Sequence, residues 1–212
     1  MIWNIPNILT ITRILLVPVF LVFILGPDFP SRLASFFVFV TAAITDFLDG
    51  RIARLFNQRS EFGKFADPLA DKLLVAAALL AFTGIPETGI PLWMVLLLLG
   101  REIGITLLRL WAIHRKTSME TSRFGKCKTA SQMATIIVVL LLLILRSALA
   151  ESLGLSLSQE DFWKIALNDA FWGTVLTWLP LALASITTTL TIFSGLAYLW
   201  VNRALFARRR SS

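Results

Sequence analysis

Long runs of apolar residues recur along this chain, each close to the roughly 20 residues that an α-helix needs to cross a bilayer. Apolar residues make up 57% of the 212 residues, and the mean hydropathy is +0.77. An ordinary soluble domain holds roughly 45–50% apolar residues, so a soluble fold of this length could not bury the excess. The apolar runs therefore predict an all-α integral membrane protein.

Six of these runs are predicted to cross the membrane as one bundle, within a single domain that covers residues 1–212. A short N-terminal segment ahead of the first run carries Trp3 and is predicted to lie at the membrane interface. The stretch 147–173 mixes acidic and aromatic residues, and is predicted to be an extended external loop with an amphipathic piece on the membrane surface. The predicted spans cover residues 8–25, 33–56, 68–82, 91–113, 130–145 and 175–199.

The net charge of +7 allows two interpretations. A basic soluble protein would be a candidate for nucleic-acid binding, but in a membrane protein Lys and Arg concentrate on the cytosolic side. With the N-terminus in the cytosol, all but three of the 20 Lys and Arg residues lie on that side or in helix ends facing it. The exceptions are Arg32, Arg146 and Lys164. This asymmetry predicts that both termini face the cytosol and that nucleic acid is not a partner.

Four carboxylates fall near the predicted cytosolic ends of two consecutive spans. Asp46 and Asp49 are three residues apart on the second span, and Asp67 and Asp71 are four apart at the start of the third. Both spacings place a pair on one face of a helix. Four such charges repel one another unless each gains a proton or a cation. Carboxylate oxygens suit Mg²⁺ or Mn²⁺, so the pattern predicts a divalent metal site, whereas zinc would need Cys or His ligands.

Small residues and one arginine accompany these carboxylates. Gly50 and Ala53 share the face of the first pair, where small side chains allow either a ligand or a neighbouring helix to come close. Gly63 is expected in the loop that connects the two spans. The complete pattern is Asp46-x2-Asp49-Gly50-x2-Ala53-Arg54-x8-Gly63-x3-Asp67-x3-Asp71.

This pattern matches in full the signature of the CDP-alcohol phosphatidyltransferase family, and the predicted six spans are similar to the fold of that family. The resemblance implies an enzyme that joins a CDP-activated lipid to an alcohol and releases CMP. It implies that Asp46, Asp49 and Asp67 bind divalent metal, and that Asp71 is the general base and also contacts a metal. It also implies a homodimer. The residues implied to contact the CDP-lipid are Asn7, Thr10, Gly50, Ala53, Arg54 and Gly63.

Four further segments, 4–13, 57–72, 101–109 and 125–129, resemble the bacterial phosphatidylglycerophosphate synthases within this family. The resemblance implies phosphatidyl transfer from CDP-diacylglycerol to sn-glycerol 3-phosphate, at the cytosolic face of a bacterial inner membrane. The phosphate of that acceptor requires cations, since Arg offers bidentate contacts and Lys a point charge. Arg13 lies within an apolar run and is expected to face the protein interior rather than reach the surface. The residues expected to bind the acceptor phosphate are Arg13, Arg101, Arg109, Lys126 and Lys128.

Two other functions remain open on the sequence. The same chemistry could use a different acceptor, namely inositol phosphate, serine, or phosphatidylglycerol for cardiolipin synthesis. The carboxylates could instead form the ion site of a cation transporter, although such sites lie near the bilayer midplane in broken helices or repeats. The chain shows no internal repeat, and its carboxylates fall near predicted helix ends.

Overall fold

The computed structural model describes residues 5–55, 61–114, 124–155 and 159–203. Side chains are described throughout these ranges except at 5–8, 46–55, 61–69, 71, 109, 113–114, 124–127 and 159–160. The described residues form helices joined by short turns and contain no strand, which confirms the all-α prediction. The helices are α1 (Ile5–Leu25), α2 (Phe29–Leu55), α3 (Glu61–Thr83), a 3₁₀ turn (Pro86–Thr88), α4 (Leu92–His114), α5 (Phe124–Leu153), α6 (Gln159–Leu167) and α7 (Ala170–Val201).

Two of the described helices are long and apolar enough to cross a membrane, judged by length and composition. They are Lys128–Leu153 within α5 and the whole of α7, Ala170–Val201. Shorter apolar stretches occur at Leu9–Leu25, Phe29–Thr45 and Lys72–Thr83. Each of the six predicted spans lies largely within a helix, but the count of six membrane crossings stays a prediction.

Two predicted boundaries differ from the structure. The range 147–173, predicted to be an external loop with an amphipathic piece, contains the end of α5, all of α6 and the start of α7. Gly63, expected in a connecting loop, lies in α3, because that helix begins at Glu61 rather than at Pro68. Proline is common in the first turn of a helix, which favoured a start at Pro68. In the structure, α3 includes the seven residues that precede Pro68, from Glu61 onward.

The described helices group into two compact units, so the predicted single domain stays a prediction. The first unit comprises Met1–Thr88 and Ile136–Thr177. Within it, α1 packs against both α2 and α3. Phe20 of α1 meets Phe39 of α2 with ring centroids 5.8 Å apart, and both side chains are fully buried. This contact helps to hold α2, which carries Asp46 and Asp49, against α1.

Polar groups close the turn from α1 to α2 within the first unit. Asp28 precedes α2 and accepts a hydrogen bond from the backbone N–H of Ser31 at 3.0 Å, as an N-cap residue does. Hydrogen bonds from Ser31 lower the pKa of the Asp28 carboxyl. The buried Arg32 donates from Nη1 to the carbonyl oxygen of Ile24 at 2.6 Å, in the last turn of α1. The turn therefore satisfies groups that helix ends leave without intrahelical partners.

The second unit comprises Gly89–Thr135 and Trp178–Ser212. It contains α4, the first part of α5 and most of α7. Its buried apolar residues include Val95, Leu98 and Ala184. Its interior also contains many polar side chains, which is unusual for helices of such apolar composition. The buried polar residues of this unit are Lys128, Gln132, Thr135, Thr187, Thr188, Thr191, Ser194 and Asn202.

Candidate functional site

The acidic signature lies on two helices of the first unit. Asp46 and Asp49 belong to α2, and Asp67 and Asp71 belong to α3. Their side chains lie outside the described residues, but the helical backbone at both places agrees with the predicted spacing. Residues three or four apart on a helix share a face. Since α1 packs against both helices, the four aspartates belong to one packed group of three helices.

A divalent cation fits the donor set that these helices offer. Carboxylates are the ligands that Mg²⁺ and Mn²⁺ prefer, and Mg²⁺ usually keeps positions for water and substrate phosphate. Among the side chains that the structure describes, no group of three or more His, Cys, Asp or Glu could hold a metal ion. The four signature aspartates are not among those side chains. They therefore remain the candidate ligands by residue type and helical register.

The residues expected to contact the CDP-lipid all fall on α1, α2 and α3. Gly50, Ala53 and Arg54 occupy the last turns of α2, and Gly63 the first turn of α3, again without described side chains. Asn7 lies in the first turn of α1, and its side chain is likewise outside the described set. Thr10, one turn further along α1, is fully buried.

Arg13 is fully buried and is the largest such side chain in the described part of the protein. This confirms the prediction that Arg13 faces the interior and excludes the alternative in which it reaches the surface. It follows Thr10 by three residues, so both lie on the same face of α1. A buried guanidinium is costly unless it is paired and hydrogen-bonded.

The second unit holds the other basic candidates, and Arg101 is the best defined. Its Nη2 donates to Oγ of Ser194 on α7 at 3.0 Å. The next residue on α7, Gly195, is buried, and a Cβ there would lie 3.2 Å from both Cγ and Nε of Arg101. The absence of a side chain at Gly195 thus lets Arg101 lie directly against α7. Neither contact was predicted from the sequence.

Lys128 is 6% exposed and forms an ion pair with Glu102 of α4, to whose Oε1 its Nζ donates. The structure therefore brings Arg101, Glu102 and Lys128 together in the second unit through adjacent positions on α4. Pairing with Glu102 offsets the positive charge of Lys128. Arg109 lies in α4 and Lys126 in α5, both with side chains outside those described.

Hydrogen bonds between side-chain hydroxyl groups connect α5 to α7 within the second unit. Oγ1 of Thr187 lies 2.7 Å from Oγ1 of Thr135 and 3.0 Å from Oγ of Ser131. Thr187, Thr191 and Ser194 recur on α7 at spacings of four and three residues. That periodicity is visible in the sequence and could have indicated a polar helix face, a common way for membrane helices to bond to one another.

The chain matches the CDP-alcohol phosphatidyltransferase family over residues 3–207. The chain therefore belongs to the CDP-alcohol phosphatidyltransferase family.

Several curated relatives carry more specific names. A CDP-diacylglycerol--glycerol-3-phosphate 3-phosphatidyltransferase of Bacillus subtilis is 37% identical over 187 residues, which cover 82% of this chain and 91% of that protein. A protein of the same name from Cereibacter sphaeroides is 34% identical over 216 residues, covering 92% and 94% of the two chains. A probable phosphatidylglycerophosphate synthase of Mycobacterium tuberculosis is 40% identical over 136 residues, covering 63% of this chain and 64% of that protein. This chain thus spans slightly less than two thirds of the mycobacterial relative.

Proposed function

We propose that this protein transfers a phosphatidyl group from CDP-diacylglycerol to sn-glycerol 3-phosphate, forming phosphatidylglycerophosphate and CMP in phospholipid biosynthesis. The observation that carries the proposal is the family's acidic signature on α2 and α3, both packed against α1. Relatives named for this reaction, 34% and 37% identical over most of the chain, support the choice of acceptor.

The reaction needs a base, an electrophile and a leaving group. A primary hydroxyl of the acceptor attacks the phosphorus on the lipid side of the pyrophosphate. The new P–O bond forms as the P–O bond to CMP breaks, and Asp71 takes the hydroxyl proton as general base. Gly50, Ala53 and Arg54 contact the cytidine diphosphate together with Gly63, and Asn7 and Thr10 on α1 contribute to the same binding site.

Mg²⁺ or Mn²⁺, held by Asp46, Asp49, Asp67 and Asp71, would supply charge compensation for the pyrophosphate and for departing CMP. This assignment rests on the carboxylate donor set. The same aspartates without a cation would repel one another and the substrate.

The phosphate of glycerol 3-phosphate is bound by basic side chains. Arg101 is the principal one, because its contacts with Ser194 and Gly195 hold the guanidinium in a defined orientation. A planar guanidinium held in this way can give two parallel hydrogen bonds to a phosphate. Lys128 adds a point charge beside it. For Arg13, Arg109 and Lys126 the same role is proposed from the family resemblance and their charge.

The protein is proposed to cross a bacterial inner membrane six times, as a homodimer with its active site and both termini in the cytosol. The outward face of α7 supports contact with lipid, because it exposes large apolar side chains that water would not favour. These include Trp172, Trp178, Phe193 and Trp200, which are 54%, 55%, 66% and 69% exposed. The distribution of Lys and Arg supports the orientation.

An acceptor panel tests the function directly. Purified protein in detergent or liposomes is supplied with CDP-diacylglycerol and one acceptor at a time: glycerol 3-phosphate, inositol phosphate, serine or phosphatidylglycerol. CMP release and the product lipid are measured together. The proposal requires phosphatidylglycerophosphate from glycerol 3-phosphate at the highest kcat/KM of the panel. Preference for another acceptor would retain the transferase class and overturn the acceptor.

A further inference from the structure

Nε2 of Gln132 on α5 and Oγ1 of Thr191 on α7 are buried polar atoms of the second unit that have no hydrogen-bond partner among the residues that the structure describes. The two residues are 2% and 1% exposed. Buried polar groups in proteins are nearly always satisfied, and leaving one without a partner costs free energy. Within the described part of the protein, these two atoms are therefore available to a ligand.

The hydroxyl of Thr191 differs in its hydrogen bonding from other hydroxyl groups on α7. Five other hydroxyl residues on α7 donate to the carbonyl oxygen four residues earlier, at 2.7–2.8 Å. This local bond is the usual way for a helical Ser or Thr to satisfy its hydroxyl in an apolar setting. Thr191 does not use it within the described structure. The five that do are Thr174, Thr177, Ser185, Thr188 and Thr189.

The contacts of neighbouring residues on α5 and α7 indicate where Gln132 and Thr191 lie. Toward one end, Lys128 of α5 and Ser194 of α7 bond to adjacent residues of α4. Toward the other end, Thr135 of α5 bonds to Thr187 of α7. Gln132 lies between Lys128 and Thr135 on α5, about 6 Å along the axis from Lys128. Thr191 lies between Ser194 and Thr187 on α7, about 4.5 Å from Ser194. The pair thus lies one helical turn from the cationic group of Arg101 and Lys128.

The side chains of Gln132 and Thr191 suit a neutral hydroxyl group of a ligand rather than a second anionic group. An amide N–H donates and a threonine hydroxyl both donates and accepts, so together they can satisfy a single alcohol group. The nearest cationic group would bind a phosphate at the same time. A small phosphorylated polyol carries these two features within a few bonds of each other.

We propose that Gln132 and Thr191 bind the secondary hydroxyl of glycerol 3-phosphate and so determine acceptor specificity. The inference rests on the proposed function, since it assumes that Arg101 and Lys128 hold the acceptor phosphate. It adds residues that recognise the carbon backbone of the acceptor, which the phosphate contacts cannot do. A site built to hydrogen-bond a substrate hydroxyl discriminates strongly against an analogue that lacks it, because its own buried groups are then left without partners.

The test compares glycerol 3-phosphate with propane-1,3-diol monophosphate, which keeps the phosphate and a primary hydroxyl but lacks the secondary hydroxyl. We expect the wild-type protein to prefer glycerol 3-phosphate by about tenfold or more in kcat/KM. Thr191→Val and Gln132→Met remove the hydrogen-bonding groups at nearly constant volume. Each is expected to reduce the preference toward unity, mainly by raising KM for glycerol 3-phosphate, with KM for CDP-diacylglycerol unchanged.

Matched controls separate recognition from folding. Thr188→Val changes a buried threonine three residues away whose hydroxyl already bonds to the carbonyl of Ala184, so the wild-type preference should remain. Thr191→Ser keeps a hydroxyl group at this position and should therefore also keep the wild-type preference for glycerol 3-phosphate. An equal use of both acceptors by the wild-type protein would overturn the inference without any variant. Unchanged preference in active Thr191→Val and Gln132→Met proteins would also overturn it. Failure of wild-type protein to use glycerol 3-phosphate at all would instead refute the proposed function.

Discussion

Arg101 on α4 donates a 3.0 Å hydrogen bond from Nη2 to Oγ of Ser194 on α7. The bond contributes to the orientation of the guanidinium, and the neighbouring Gly195 leaves the Arg101 side chain room to lie against α7. Orientation matters here because an arginine binds phosphate well only when both N–H groups point at it.

Removal of the orienting hydroxyl should weaken acceptor binding without removing any charge. Ser194→Ala is expected to raise KM for glycerol 3-phosphate by about tenfold, since hydrogen bonds to charged groups contribute roughly 1.5–3 kcal/mol. KM for CDP-diacylglycerol should stay constant. Ser185→Ala is the matched control, because that hydroxyl bonds only within its own helix, to Leu181. A parallel rise in both KM values would indicate a general loss of structure instead.

Neutralisation of the basic residues tests their role in acceptor binding more directly. Arg101→Gln should raise KM for glycerol 3-phosphate by tenfold or more, on the order of 1.5–3 kcal/mol per charge-assisted contact. Lys128→Gln should also raise this KM, because it removes a positive charge and leaves the carboxylate of Glu102 without its ion-pair partner. Steady-state kinetics, with each substrate varied in turn, would measure the KM values of both variants. Normal acceptor KM in both variants would leave these residues with a role in membrane orientation only.

Chelation should abolish turnover. The four signature aspartates offer only negative charge to a substrate that carries a pyrophosphate, and a divalent cation removes that conflict. CMP release should stop in excess EDTA and return when Mg²⁺ or Mn²⁺ is added in excess of the chelator. Full activity in the presence of chelator would exclude the metal site.

Asp71 should be separable from the other aspartates by its effect on the chemical step. If it is the general base, Asp71→Asn should lower kcat by about 10²–10⁴-fold. Binding of the CDP-lipid should survive better in this variant than in Asp46→Asn or Asp49→Asn, which remove metal ligands. Calorimetry would measure the affinity of each variant for CDP-diacylglycerol, and single-turnover kinetics would measure the rate of its chemical step. Equal loss of binding in all three would identify Asp71 as mainly a ligand.

Arg32 is predicted to matter for stability and not for catalysis. Its bond to the carbonyl oxygen of Ile24 closes the C-terminus of α1, and contacts of this kind contribute roughly 1.5–3 kcal/mol. Arg32→Met should therefore lower Tm, by about 2–4 °C for each kcal/mol lost in a chain of this size. The exposed Lys164 serves as control, since Lys164→Met should leave Tm nearly unchanged. Both variants should retain the KM values of the parent protein.

The sequence by itself determined the features that depend on local repetition. Apolar runs near 20 residues predicted an all-α chain, and the helices confirm it. The spacing of Asp46, Asp49, Asp67 and Asp71 identified the family, because a signature is a property of order along the chain. Arg13 could be assigned to the interior from its apolar neighbours alone. Gly63 was wrongly assigned to a loop, and α5 and α7 extend into the predicted loop 147–173, since polar and glycine residues weaken helix propensity without preventing a helix.

Only the tertiary structure decided which polar groups meet. Lys128 pairs with Glu102, Arg101 lies against Gly195, and Thr187 bonds to Thr135 because α4, α5 and α7 pack together in the second unit. Helical periodicity tells which residues share a face, but it does not tell which face meets which neighbour. Among the described residues, the same packing leaves Nε2 of Gln132 and Oγ1 of Thr191 without a hydrogen-bond partner. A hydrogen bond requires a partner within about 3 Å and suitable geometry, and that condition is set by residues far apart in the chain.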